Sequence, residues 1–144
     1  MNKSFIVDDF RVFFKNTDYH GYLHPYNFLE WTSYVREAFF QETVPNFLDI
    51  LQRPVKMMTV RISSHHFDET IFGDRIQARL TVARQKKVSF DMVIRFHSAF
   101  KNKIICETVH TIVFADSEAG KFAPIPEEML RVIVNYQETV QGQE

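Results

Sequence analysis

Apolar residues recur at helical spacing before Pro45 and at every second position after Pro54, and this change of period most constrains the fold. From Phe28, the residues Trp31, Val35, Ala38 and Phe39 mark one side of a helix predicted over residues 25–41. Leu29 and Phe40 add apolar character on other faces, as expected of a helix wrapped on several sides. Pro25 suits the first turn of that helix, where its fixed φ and missing N–H cost least, and Pro45 breaks the pattern. A short second helix is expected over residues 46–51.

Beyond Pro54 the chain reads as strands. Residues 55–66 alternate through Met58, Val60 and Ile62. Residues 74–84 place Ile76, Ala78, Leu80 and Val82 on one face and Gln77, Arg79 and Thr81 on the other. Residues 88–97 alternate Val88, Phe90, Met92, Ile94 and Phe96 with polar partners, and residues 104–116 return after a turn near Lys101-Asn102. A leading strand is expected over residues 10–14, and Pro126 can open a last helix running through Ile133. The tail, 139–144, is polar and expected to fray. The order is strand, long helix, then four strands in a mostly antiparallel meander. It implies one α+β domain over residues 1–144, with a curved sheet packed around the helix.

Composition removes several function classes. The formal net charge is −1, so no basic field exists to hold a nucleic acid. The single cysteine, Cys106, has no internal disulfide partner and sits in an apolar strand, where it reads as a small core residue. Asp8 and Asp9 interrupt the N-terminal segment where a secretory signal would need an apolar run. No apolar run reaches the ~18 residues that cross a bilayer. A cytoplasmic protein with no membrane partner is expected. Fifteen phenylalanines suggest a thick aromatic core, with some rings left for an apolar pocket or a subunit interface.

Chemistry concentrates between the first strand and the helix. Residues 16–28 read Asn-Thr-Asp-Tyr-His-Gly-Tyr-Leu-His-Pro-Tyr-Asn-Phe, with Asp18 three positions before Gly21 and His24 just before Pro25. Chemistry is usually mounted at such a strand-to-helix junction, because helix-terminal N–H groups lack partners and attract developing negative charge. On its own, Asp18 reads first as a turn or cap residue whose carboxylate accepts local N–H bonds. His65 and His66 are neighbours on a strand and face opposite ways, so no metal site is expected there. Arg84, Lys86, Lys87, Lys101 and Lys103 fall near hairpin ends, where basic residues usually serve as solubilising charge.

The stretch Asp18-x-x-Gly21, the following Asn27-Phe28-Leu29-x-Trp31 and Arg36-Glu37, and the Gly73-Asp74 turn together resemble hotdog-fold acyl thioesterases. The similarity is to the 4-hydroxybenzoyl-CoA thioesterase type and also to the enediyne-polyketide thioesterases. It implies an antiparallel sheet of about five to six strands curved around one long helix. It also implies hydrolysis of an acyl-CoA or acyl-carrier-protein thioester without a metal or other cofactor. In that reading Asp18 is the nucleophile or general base and His24 assists. Gly21, Tyr26, Asn27, Phe28 and Arg36 then surround the substrate, whose acyl group the aromatic surroundings suggest to be apolar. Pro25 stands where the benzoyl-CoA type offers a backbone donor, so Tyr26 or Asn27 would supply it. The family further implies a homodimer or homotetramer with interfacial sites. The alternative is a non-catalytic hotdog module that binds acyl thioesters or stabilises an assembly.

Overall fold

The structure is a computed structural model and describes residues 3–138. Strand β1 (Phe5–Arg11) leads to helix α1 (Asn27–Thr43) and the short helix α2 (Phe47–Leu51). Then come β2 (Val55–His66), β3 (Arg75–Ala83), β4 (Ser89–Ser98), β5 (Lys103–Asp116), the two-residue β6 (Lys121–Phe122) and helix α3 (Glu127–Ile133). The strands form one antiparallel sheet in the order β1-β3-β4-β5-β2, with β6 pairing β5. The sheet curls around α1, which is the hotdog arrangement. The tail 139–144 lies outside the described residues.

The core follows the period-two pattern. Ile76, Ala78, Leu80 and Val82 of β3 are fully buried, as are Phe90, Met92, Ile94 and Phe96 of β4. They meet Val35, Phe39 and Phe40 of α1, and burying side chains of this size stabilises the fold by roughly 1.5–3 kcal/mol each. The helix ends where Val44, extended at ψ 117° as a residue before proline prefers, hands on to Pro45.

Three expectations are corrected. The first strand is Phe5–Arg11 rather than residues 10–14. Asp9 takes a positive φ of 72° within a break in register between Val7 and Phe10, and Phe14 has already turned into a 3-10 turn where its ring stacks on Phe72. The helix begins at Asn27 rather than Pro25, because the preceding residues close tighter i→i+3 turns, as in the Phe28 N–H to Pro25 carbonyl bond. Finally, the four later strands are not one meander. Only β3, β4 and β5 are consecutive neighbours, while the loop 67–74 carries the chain from β2 at one edge across to β3 beside the other.

Strand β2 holds a further surprise. Its alternation of Met58, Val60 and Ile62 does not mark one buried face: the three are 42%, 56% and 53% exposed. Val60 is the extra residue of a bulge between Thr59 and Arg61. Met58 therefore pairs with Val113, whereas Ile62 pairs with His110 on the opposite face of the sheet.

Candidate active site

The segment between β1 and α1 folds into a small closed loop. Thr17 bridges Leu23, the Asp18 N–H donates to the Tyr22 carbonyl at 2.8 Å, and the Gly21 N–H donates to the Asp18 carbonyl at 2.9 Å. Gly21 has φ +87°, which a side chain rarely adopts, while the space where a Cβ would project is open. Its glycine is thus required by the turn. The loop is fastened to loop 67–74 by the Leu23 N–H to Thr70 carbonyl bond and the Tyr22–Ile71 bridge.

Asp74 anchors that second loop. Fully buried, its carboxylate accepts the Thr70 and Ser98 hydroxyls at 2.5 Å each and the N–H groups of Arg75 and Phe100 at 2.7 and 2.9 Å. Burial pushes its pKa up, but these four donors outweigh it and hold the group below the usual carboxylate range. Lys101 and Lys103 both pair with Asp68 in the same loop, so two of the basic hairpin residues serve as clamps. Arg84 pairs with Asp91.

Asp18 sits half-buried at the mouth of the small loop. Its Oδ1 accepts the N–H groups of His20 at 2.9 Å and Tyr22 at 3.1 Å, and its Oδ2 takes no bond among the described residues. Desolvation raises its pKa, but the two N–H bonds and the His20 and His24 rings draw it below the ordinary value. The result is a firmly ionised carboxylate with one oxygen free.

Asn27 ties the loop to the helix. Its Nδ2 donates to the carbonyls of Asn16 and His24, both at 2.8 Å, and its Oδ1 accepts Asn16 Nδ2 at 2.9 Å. It is 1% exposed, so its side chain is spent on positioning. The N–H groups of the first turn are also engaged: Asn27 donates to the His24 carbonyl and Phe28 to the Pro25 carbonyl. The Tyr26 N–H donates to His24 Nδ1 at 3.3 Å, the longest of the three, while the Tyr26 ring lies edge-on to His24 and is largely exposed. His24 therefore acts as a side-chain cap on the one donor with a displaceable partner.

Phe28 is buried against Trp31, Phe96 and His66 and belongs to the core. Arg36 lies two and a half turns further along α1. Its Nη1 donates to Thr59 Oγ1 at 2.8 Å and lies 3.1 Å from His110 Nδ1. The sequence pointed to Arg36 but missed His110 and Thr59. A signal was present, because Thr108 and His110 interrupt an otherwise apolar inward row of Cys106, Ile112 and Phe114 on β5. The Cys106 thiol is pushed up to about 11 by burial, which keeps it protonated and unreactive. Among the described residues no group of three or more His, Cys, Asp or Glu is placed to hold a metal.

Residues 12–133, spanning nearly every element just described, match the model of the thioesterase-like superfamily. The chain belongs to this family. Solved structures with the same hotdog fold include a dynemicin thioesterase, 18% identical over 96% of this chain and 100% of its own, with a TM-score of 0.83. A gentisyl-coenzyme A thioesterase is 21% identical over 90% of this chain and 100% of its own, with a TM-score of 0.74. A 1,4-dihydroxy-2-naphthoyl-CoA thioesterase from Synechocystis is 18% identical over 95% and 100%, with a TM-score of 0.77. No curated protein matched the chain. As a member of a thioesterase superfamily, the protein carries its ionised Asp18 and its capped helix start in one loop-to-helix junction.

Proposed function

We propose that the protein hydrolyses the thioester of an acyl-CoA or acyl-carrier-protein substrate at the junction between the Asp18 loop and the N-terminus of α1. The observation that carries this reading is the free Oδ2 of an ionised Asp18 beside a helix start whose Tyr26 N–H is held only by the His24 ring. A thioester oxygen replacing His24 Nδ1 would receive the Tyr26 N–H and the positive end of the helix dipole as charge develops on it. Asp18 then serves in one of two ways. As nucleophile it bonds to the carbonyl carbon, the thiolate departs, and water opens the resulting anhydride. As general base it takes a proton from the water that attacks. Both routes end at the free acid and the thiol. His24, whose Nδ1 accepts from Tyr26 and whose proton therefore sits on Nε2, would assist through Nε2 by orienting water or bonding the thioester oxygen. Gly21 and Asn27 hold this geometry, Tyr26 and Arg36 border the acyl path, and the buried Phe28 anchors the first turn of α1 in the core.

A second reading has its own support. Pro25 has no N–H, and those of Asn27 and Phe28 are already engaged, which suits a module that binds acyl thioesters without cleaving them. Thiol release from acyl-CoAs of graded chain length separates the two. Turnover well above the rate without protein supports the enzyme, and saturable binding with no thiol release supports the module.

The assembly we propose is a homodimer or a pair of dimers. Strand β2 is an open edge of 12 residues, with Met58 and Val60 exposed along it, and a second copy pairing there would satisfy its free backbone groups. No described helix is long and apolar enough to cross a membrane. A reducing cytoplasm suits the lone buried thiol of Cys106.

A further inference from the structure

Arg36 is an ion without a counter-ion. It is partly buried beside α1, and both partners of its Nη1 are neutral: the Thr59 hydroxyl and the His110 ring. No carboxylate of the described residues lies within ion-pair distance of it, whereas the partly buried Arg53 and Arg95 pair with Glu128 and Glu107. Burying a guanidinium without an anion costs free energy that a neutral partner only partly offsets. His110 adds a second debt. It is 3% exposed, and its Nε2 has no hydrogen-bond partner. Because Nδ1 accepts from Arg36, the neutral ring carries its proton on Nε2, so the orphan is a donor. Two donors without a matching acceptor thus stand together on the inner face of the sheet.

The cross-strand register shows what surrounds them. Directly paired residues point to the same face, so Ile62, Ser64 and His66 of β2 share a face with His110, Thr108 and Cys106 of β5. Ile62 and His66 are exposed there, so α1 does not cover β2. A polar row therefore follows the boundary between α1 and β2. It passes from His66 and Phe28 near the helix start, by the Thr32–Thr108 hydroxyl pair, to Arg36 and Thr59. Arg36 is nine residues beyond Asn27, about 13 Å along the helix axis at 1.5 Å per residue. The phenylalanines expected to line an apolar acyl site are mostly elsewhere: Phe39, Phe40, Phe90, Phe96 and Phe114 are fully buried in the core. The row along this boundary instead consists of hydroxyls, imidazoles and a guanidinium, with Thr32, Thr108 and His110 buried.

We infer that Arg36 and His110 form a receptor for a carboxylate carried on the acyl group, remote from the thioester, so that the preferred substrates are carboxyacyl thioesters rather than plain alkanoyl ones. This deepens the hydrolase reading and rests on it for the position of the thioester. The anion supplies the charge that Arg36 lacks and an acceptor toward which the His110 Nε2–H can turn.

The test compares suberoyl-, sebacoyl- and dodecanedioyl-CoA, whose lengths approach the ~13 Å between the helix start and Arg36, with the plain acyl-CoAs of equal carbon number. For at least one pair the wild-type kcat/KM favours the carboxyacyl substrate by about 10-fold or more, the scale of one charge-assisted hydrogen bond. That ratio falls by a similar factor in Arg36→Met and in His110→Phe. Binding is read separately by titrating the free dicarboxylates and the matching neutral diamides while following the ring nitrogens of His110 by NMR. A dicarboxylate moves the Nε2 signal saturably, and the diamide does not. If neither acyl series is hydrolysed but the dicarboxylate moves Nε2, the hydrolase reading fails and the receptor stands. Equal kcat/KM across every pair together with an unmoved Nε2 signal overturns the receptor and leaves the hydrolase reading intact.

Discussion

Asn16 Nδ2 donates to Asn27 Oδ1 at 2.9 Å, and Asn27 Nδ2 returns a bond to the Asn16 carbonyl at 2.8 Å. This reciprocal pair fixes the Asp18 loop on the first turn of α1, because the two asparagines are both buried and each offers the donor and acceptor that the other needs. Asn27→Leu leaves the Asn16 side-chain amide without its partner, while the Asn16 and His24 carbonyls keep the backbone N–H groups of His24 and Asn27. The expected loss of stability is about 1–3 kcal/mol, the cost of one buried amide left unpaired. Urea denaturation measures it. A loss below about 0.5 kcal/mol would show that the pair does not hold the loop.

Asp18→Asn keeps the side-chain volume and removes the charge. The amide oxygen still accepts the His20 and Tyr22 N–H groups, so the loop and the melting temperature should change little. Turnover of a good acyl thioester should fall by ~100-fold or more, while substrate affinity changes far less, because the loss belongs to the transition state. Near-wild-type turnover in a folded Asp18→Asn protein rules out the carboxylate mechanism.

The same carboxylate sets a pH limit. Burial alone would raise its pKa, but the N–H bonds of Tyr22 and His20 and the nearby imidazoles bring the net shift downward. The group therefore stays ionised until the solution is more acidic than the ordinary aspartate range near 4. The profile of kcat/KM should show no acid limb from Asp18 between pH 5 and about 7. An acid limb in that interval that vanishes in Asp18→Asn would contradict this ordering of effects.

His110 gives a stability signature of opposite sense to a salt-bridged histidine. From an ordinary value of 6.5, burial and then the Arg36 charge hold its pKa down to about 4. Between those values the unfolded chain binds a proton that the folded chain does not, so stability falls as the pH drops through this window and levels off below it. The melting temperature of the wild type should fall more steeply from pH 6.5 to about 4 than that of His110→Gln. Parallel curves for the two proteins would mean that His110 titrates normally in the fold.

The open edge of β2 predicts the assembly. Light scattering at micromolar concentration should give at least twice the 17.1 kDa chain mass. Lysines at Met58 and Val60 should shift the population toward the monomer, because charge on an exposed edge opposes strand pairing. A wild-type monomer at these concentrations would refute the proposed dimer.

Local periodicity carried most of the architecture. The helix through Phe39 and the strands from Arg75 onward were legible because each buries one face, and a 3.6- or 2-residue period records that burial directly. The Asp18 turn was legible too, since an aspartate closing a loop on a glycine is a local, short-range event. Three features were decided only by the assembled fold. Strand order depends on where loop 67–74 carries the chain, and no residue in the loop encodes that path by itself. The faces of β2 depend on a bulge at Val60, which exists only against its partner strand. The meeting of Arg36 with His110 and Thr59, residues 74 and 23 positions away, arises because β5 and β2 are paired under the same turn of the helix. Sequence records what each segment buries; which polar groups that burial strands together is a property of the tertiary packing.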